Sequence, residues 1–154
     1  MNSANPPPFP MNRSMPESAV VPVLHYRSVP EAVAWLCTAF GFTERLRIGV
    51  HRAQLAVAAD RGSVVVAEGS EATAAVPSST HSVMVRVSDV DQHHEQAKAA
   101  GARVLGPPTN YPYGERQYSA VDLGGHVWTF SQTVANVQPS SWGGVLVGES
   151  RGAV

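Results

Sequence analysis

Residues 21–42 read VPVLHYRSVPEAVAWLCTAFGF, and residues 81–101 read HSVMVRVSDVDQHHEQAKAAG. In the first stretch Val21, Val23 and His25 alternate with Pro22, Leu24 and Tyr26, the period of a strand with two unlike faces. Ser28 and Glu31 then stand at capping-box spacing, with Pro30 in the first turn, where a missing N–H costs nothing. Val29, Val33, Leu36, Cys37 and Phe40 fall on one helical stripe, and Gly41 supplies a left-handed stop. The second stretch repeats the plan. Val83, Val85 and Val87 alternate with Ser82, Met84, Arg86 and Ser88, Asp89 or Asp91 can cap the helix, and Gly101 ends it.

The segments after each helix complete the two units. TERLRIGV, HRAQLAVAA and GSVVVAEG read as three short strands after Gly41, with a turn at Asp60-Arg61-Gly62. After Gly101 come RVLG, the proline- and tyrosine-rich connection PPTNYPYGER, QYSAV, a turn at DLGG, and HVWTFSQ. Gly41 and Gly101 lie 60 positions apart, each at the same point of a strand–helix–strands unit, which marks an internal duplication. Neither half alone can bury both faces of a four-stranded sheet; pairing the halves can, and leaves a concave surface between them. The expected organisation is a disordered arm over 1–17, one domain over 18–138 made of modules 18–70 and 80–138 joined through GSEATAAVPSST, and a glycine- and serine-rich tail over 139–154. Trp142 reads as an anchor for that tail.

Composition narrows the partners. Of 154 residues 44% are apolar and only 15% charged, with a net charge of −1, so no electrostatic footprint for nucleic acid or an anionic membrane is present. No run approaches the roughly eighteen apolar residues of a spanning helix. The first residues lack an apolar signal-peptide core. Cys37 stands alone, which excludes an intrachain disulfide and a cysteine-based zinc cluster. The expectation is a cytoplasmic protein.

The two modules, with the V-S-D-V-D run at 87–91 and YGERQYSAVDLGGHVWTF at 113–130, resemble the vicinal-oxygen-chelate superfamily of glyoxalase, bleomycin resistance and dioxygenase proteins. The tail WGG is similar to that of PhnB-like members. The resemblance implies an α+β fold in which two βαβββ modules form an open, U-shaped mixed β-barrel. It also implies a small-molecule ligand and a homodimer. Metal-dependent members of the family place four ligating side chains on the first and last strands of the modules. In this chain those slots fall on Val21, Ser82, Thr129 and a residue near Val65 or Val66. None suits a divalent ion, so no metal and no cofactor are expected. A slip of one residue brings in His81, on the helix-packed face, and a slip of two brings in Glu68, which keeps the face of the slot.

The remaining inward positions supply the candidate ligand-binding set: His25, Ser82, Arg86, Tyr118 and Thr129. His25 is an imidazole able to act as acid, base or hydrogen-bond partner, or simply a strand-end residue bonded to backbone or water. Arg86 suits a carboxylate or phosphate, or a rim ion pair with Glu115 or Glu68. Tyr111, Tyr113 and Tyr118 read as an aromatic lid, or as packing within the long loop. His94 shares a stripe with Val90 and Ala97 and reads as a packed ring, while His126 shares the core parity of Trp128 and Phe130. The leading reading is metal-independent binding of a drug or metabolite. The alternatives are a lyase, isomerase or dioxygenase-type enzyme, metal-dependent or using His25 as base, and a non-catalytic partner domain docked through Trp142.

Overall fold

The computed structural model describes residues 9–69, 81–146 and 148. The expected linker and the last residues of the tail lie outside the described residues. The first module runs β1 (Val23–Tyr26), α1 (Val29–Phe40), β2 (Thr43–Ile48), β3 (Arg52–Val57) and β4 (Gly62–Glu68). The second runs β5 (Val83–Arg86), α2 (Val90–Ala99), β6 (Arg103–Val104), β7 (Thr109–Asn110), β8 (Glu115–Val121) and β9 (Val127–Thr133), followed by a 3-10 turn, Pro139–Trp142. This is the expected duplicated α+β plan, with β7 a small addition inside the tyrosine-rich connection.

Each module folds the same way for the same reasons. Ser28 Oγ accepts from the N–H of Glu31 at the start of α1, and Gly41 ends it at φ 74° with its N–H on Cys37 O. Asp89, rather than Asp91, caps α2 by accepting from Gln92 N, and Gln132 Oε1 takes the free N–H of Val90. Sheet 1 has the order β1-β4-β3-β2 and sheet 2 the order β5-β9-β8-β6, with β7 also on β8. In both, the first strand lies parallel to the last and the other neighbours are antiparallel. No described strand of one sheet pairs with a strand of the other.

The helix-covered faces of the two sheets meet in one shared core. Phe40, at the end of α1, packs on Phe130 at 4.8 Å and Trp128 at 5.7 Å between ring centres, and Phe42 packs on Trp128 at 5.2 Å. α1 carries no basic residue in its last turn, so its final carbonyls need other donors. They find them on α2: Gln96 Nε2 donates to Thr38 O and His93 Nε2 to Phe40 O.

The second tie is Asp122, buried at the hairpin between β8 and β9. Its carboxylate accepts from Tyr26 Oη at 2.6 Å, from Trp128 Nε1 at 2.9 Å, and from the backbone N–H groups of Gly124 and His126. Gly124 lies so close that a Cβ there would stand 2.6 Å from the Tyr26 ring. Burial and the Asp122 charge together push the Tyr26 phenol far above its ordinary value. Asp122→Ala strands two buried donors, Tyr26 Oη and Trp128 Nε1, and should lower unfolding free energy by about 3 kcal/mol. Tyr26→Phe, which leaves the carboxylate three partners, should cost about half of that. Urea denaturation of the two variants measures the difference.

Candidate functional site

Alternation along the strands puts a second set of side chains on the faces turned away from the helices. On sheet 1 these are Val23, Val65 and Gln54 in one cross-strand row and His25, Ala67 and Arg52 in the next. On sheet 2 they are Met84, Thr129 and Ser119 in one row and Arg86, Ser131 and Gln117 in the next. Residues of both helix-covered faces join one core cluster. The open faces carry the side chains turned away from that cluster.

The open face of sheet 2 carries a connected polar chain. Tyr113 Oη donates to Gln117 Oε1, Gln117 Nε2 donates to Ser131 Oγ, and Ser131 Oγ donates to Glu115 Oε1 at 2.7 Å. Arg86 Nη2 donates to Thr133 Oγ1 at 3.0 Å and makes no ion pair among the described residues. Beside this chain stands an aromatic wall. Tyr111 and Tyr113 stack at 5.5 Å and 11°, and Trp142 meets Tyr113 edge-on at 5.7 Å. All three residues remain about 40% exposed (42%, 37% and 45%), so the wall is open to solvent. The long loop keeps this shape because Gly114 adopts φ 85° against Ala135 O, where a Cβ would stand only 2.3 Å away. A cleft of about 1120 Å³ opens at the seam between the modules, along β5, the β3–β4 turn and the start of α2, and Arg86 and Thr133 line it.

The open face of sheet 1 is partly covered by residues of the chain's own N-terminal stretch. Asn12 to Met15 form a turn closed by Met15 N on Asn12 O. Arg45 Nη2 donates to Arg13 O, Gln54 Nε2 donates to Ser14 O, and Ser18 Oγ meets Ser63 Oγ at 3.0 Å.

Of the sequence-predicted site residues, His25, Arg86 and Thr129 all lie on open faces. Ser82 is exposed just ahead of β5. Tyr118 does not join them. It pairs with Phe130 across β8 and β9, which turns it to the helix side, where it is 3% exposed and its hydroxyl meets His93 Nδ1. Glu68 is a second correction. It pairs with Tyr26, so it has the helix-side parity, and the open-face residue of that strand is Val65, opposite Val23. His94 packs edge-on to Tyr118 as expected of a stripe residue. His126 lies edge-on to Tyr26 and its Nε2 donates to His25 O, leaving Nδ1 buried and unpartnered among the described residues.

The residue that sequence reasoning missed is His93. Its Nε2–H is fixed by Phe40 O, because a carbonyl can only accept, so its bare Nδ1 takes the Tyr118 hydroxyl. The signal was available: an α1 C-terminus without a basic residue in its last turn needs donors beyond its glycine cap, and His93-x-x-Gln96 offers two on one helical face.

Similar folds and sequences now bear on this geometry. The model of the Glyoxalase/Bleomycin resistance protein/Dioxygenase superfamily matches residues 21–130, most of the chain. The chain belongs to that superfamily. TioX from Micromonospora sp. ML1 is 35% identical, with a TM-score of 0.61 over 75% of this chain and 98% of that one. The fosfomycin resistance protein FosX from Listeria monocytogenes is 16% identical, with a TM-score of 0.60 over 75% and 92%. A glyoxalase/bleomycin resistance protein/dioxygenase from Nocardioides is 18% identical, with a TM-score of 0.59 over 84% and 89%. No curated protein matches the chain.

The donor set of this superfamily member does not fit a metal. Val21 and Val65 offer no donor atom, and Thr129 Oγ1 is already bonded to Ser119 Oγ at 2.8 Å. Among the described residues no three His, Cys, Asp or Glu side chains converge.

His93 also gives the fold a pH dependence. Burial pushes its imidazole below the ordinary value, and the bond to Phe40 O opposes that only in part. The unfolded chain then binds the proton more readily, so stability falls as pH drops through about 6.5 and levels off only below the depressed native value. Melting temperature should decline more steeply between pH 7 and 5 in the native sequence than in His93→Gln, once the carboxylate background shared by both is subtracted.

Proposed function

We propose that the chain is a metal-independent small-molecule-binding protein, a homodimer of PhnB-like character working in the cytoplasm. The observation that carries this reading is the chemistry of the open faces. Where metal-dependent relatives need imidazole and carboxylate, this chain has valines and a hydroxyl already bonded to its neighbour. Beside those positions it keeps exposed aromatic rings and a guanidinium that makes no ion pair among the described residues. A ligand with a planar aromatic part and an anionic group suits that set, with the rings of Tyr111, Tyr113 and Trp142 on one side and Arg86 on the other. Arg86, Ser131 and Gln117 share one row across three strands. The cation therefore sits about 10 Å of sheet width from the aromatic wall over Gln117. Thr129 and Ser82 add hydroxyls to the same surface, and His25 adds an imidazole on the other sheet.

The homodimer is supported by the outward-turned faces. Val23 and Met84 stand 43% and 61% exposed on them, apolar surface that a second copy would cover. A ligand surface on each sheet then becomes an enclosed pocket only in the assembly.

Two measurements test the reading. Elemental analysis of the purified chain should find far less than one divalent ion per chain, and dialysis against a chelator should leave the melting temperature unchanged. Near-stoichiometric metal whose removal lowers that temperature overturns it. The aromatic anion 8-anilinonaphthalene-1-sulfonate should bind roughly tenfold more weakly to Arg86→Ala and to Tyr113→Ala. Unchanged affinity in both removes this surface from the proposal.

A further inference from the structure

The turn at residues 12–15 and the proline after it are seated on the open face of sheet 1 in a way that differs from ordinary chain packing. A β-turn closes on itself through its outer residues and leaves its two central carbonyls without an internal partner. Here those carbonyls belong to Arg13 and Ser14, and each is taken by a side chain of the sheet: Arg45 Nη2 at 2.8 Å and Gln54 Nε2 at 2.8 Å. Gln54 also accepts from Arg45 Nη1, so the two donors are aligned by each other. Gln54 is only 5% exposed, and its buried amide nitrogen donates to this segment. Next along the segment Pro16 is buried, and Ser18 reaches Ser63. A space of about 450 Å³ remains between this segment and the sheet, lined by Pro16, Ser18, Thr43, Arg45, Ala56 and Ser63 among others.

The attachment is slight. Among the described residues no backbone–backbone bond joins residues 9–19 to sheet 1, so no ladder extends the sheet. Phe9, Met11 and Met15, the large apolar residues of the stretch, stay 53%, 88% and 53% exposed. Three side-chain hydrogen bonds and one proline ring hold the segment. Contacts of this kind belong to the least stable part of a fold.

We propose that this face of sheet 1 is a recognition groove for a turn-forming, proline-containing peptide or peptide-like molecule, occupied in the resting chain by its own residues 12–18. Gln54 and Arg45 read the two free carbonyls of the turn, and the ring that follows is buried at the edge of the space beside Ser63. A competing molecule with the same two carbonyls displaces the segment, so the chain's own strap sets the threshold for binding. The groove is distinct from the aromatic surface of sheet 2, and its test reads neither Arg86 nor Tyr113, so either reading can fail without the other.

The test uses the full chain and a fluorescein-labelled peptide of residues 9–19, FPMNRSMPESA. Pro16→Asp places a charge where the ring is buried and should release the strap, seen as faster tryptic cleavage after Arg13. Fluorescence anisotropy should then show the peptide binding Pro16→Asp at least about fivefold more tightly than the native sequence. Adding Gln54→Leu, which keeps volume but removes the amide, should weaken that binding roughly tenfold. Circular dichroism and melting confirm that each variant remains folded. Equal cleavage after Arg13 in the native and Pro16→Asp chains overturns the proposal. So does equal or absent peptide binding in the two, or binding to Pro16→Asp that Gln54→Leu leaves intact.

Discussion

Asp122 places a carboxylate in the seam between the two halves, and the fold is arranged around keeping that charge satisfied. Four donors converge on it: one phenol from the first module, one indole from the second, and two backbone N–H groups of its own turn. A buried carboxylate with any of these missing would be a heavy liability, whereas with all four it fixes geometry. It sets the shape of the β8–β9 hairpin, and through Tyr26 it sets where the first strand of sheet 1 lies against sheet 2. The aromatic packing of Phe40, Phe42, Trp128 and Phe130 then fills the space that this bond defines.

The open faces follow from the same arrangement. Once both helix-covered faces are committed to a shared core, strand alternation forces the other side chains outward. The sequence there is free to specialise, and the two sheets have done so differently. Sheet 2 shows a polar chain bordered by stacked rings, while sheet 1 is overlaid by a segment of the chain itself. Duplication produced two equivalent surfaces, and the residues at 45, 54, 111, 113 and 142 have made them unlike.

Much of this could be read from residues alone, because local rules decide it. The capping of both helices, the two glycine stops, the strand parity of Val23, His25, Met84, Arg86 and Thr129, and the hairpin at DLGG all follow from nearest-neighbour chemistry. What escaped was register between distant segments. Glu68 was placed on the wrong face because the parallel pairing of β4 with β1, some 40 residues earlier, leaves no local mark. Tyr118 was different: counting outward from the Asp122–His126 turn pairs it with Phe130, and the long loop before it drew attention toward a lid. His93 escaped because its role depends on an unmet need at the end of another helix. A side chain that answers a distant carbonyl is visible only when both ends are considered together.

Among the described residues no strand crosses between the sheets, and side chains bridge the modules. The chain can therefore be viewed as a heterodimer whose two subunits happen to share a peptide bond path from Gly69 to His81. The tether supplies effective concentration rather than contact energy. The contact energy comes from the shared aromatic core and the Asp122 network, and proximity adds to it. Each half, with its helix-covered face committed to that core, can vary its outward surface without losing the other. A duplicated module of this kind can thereby carry two unlike surfaces on one plan.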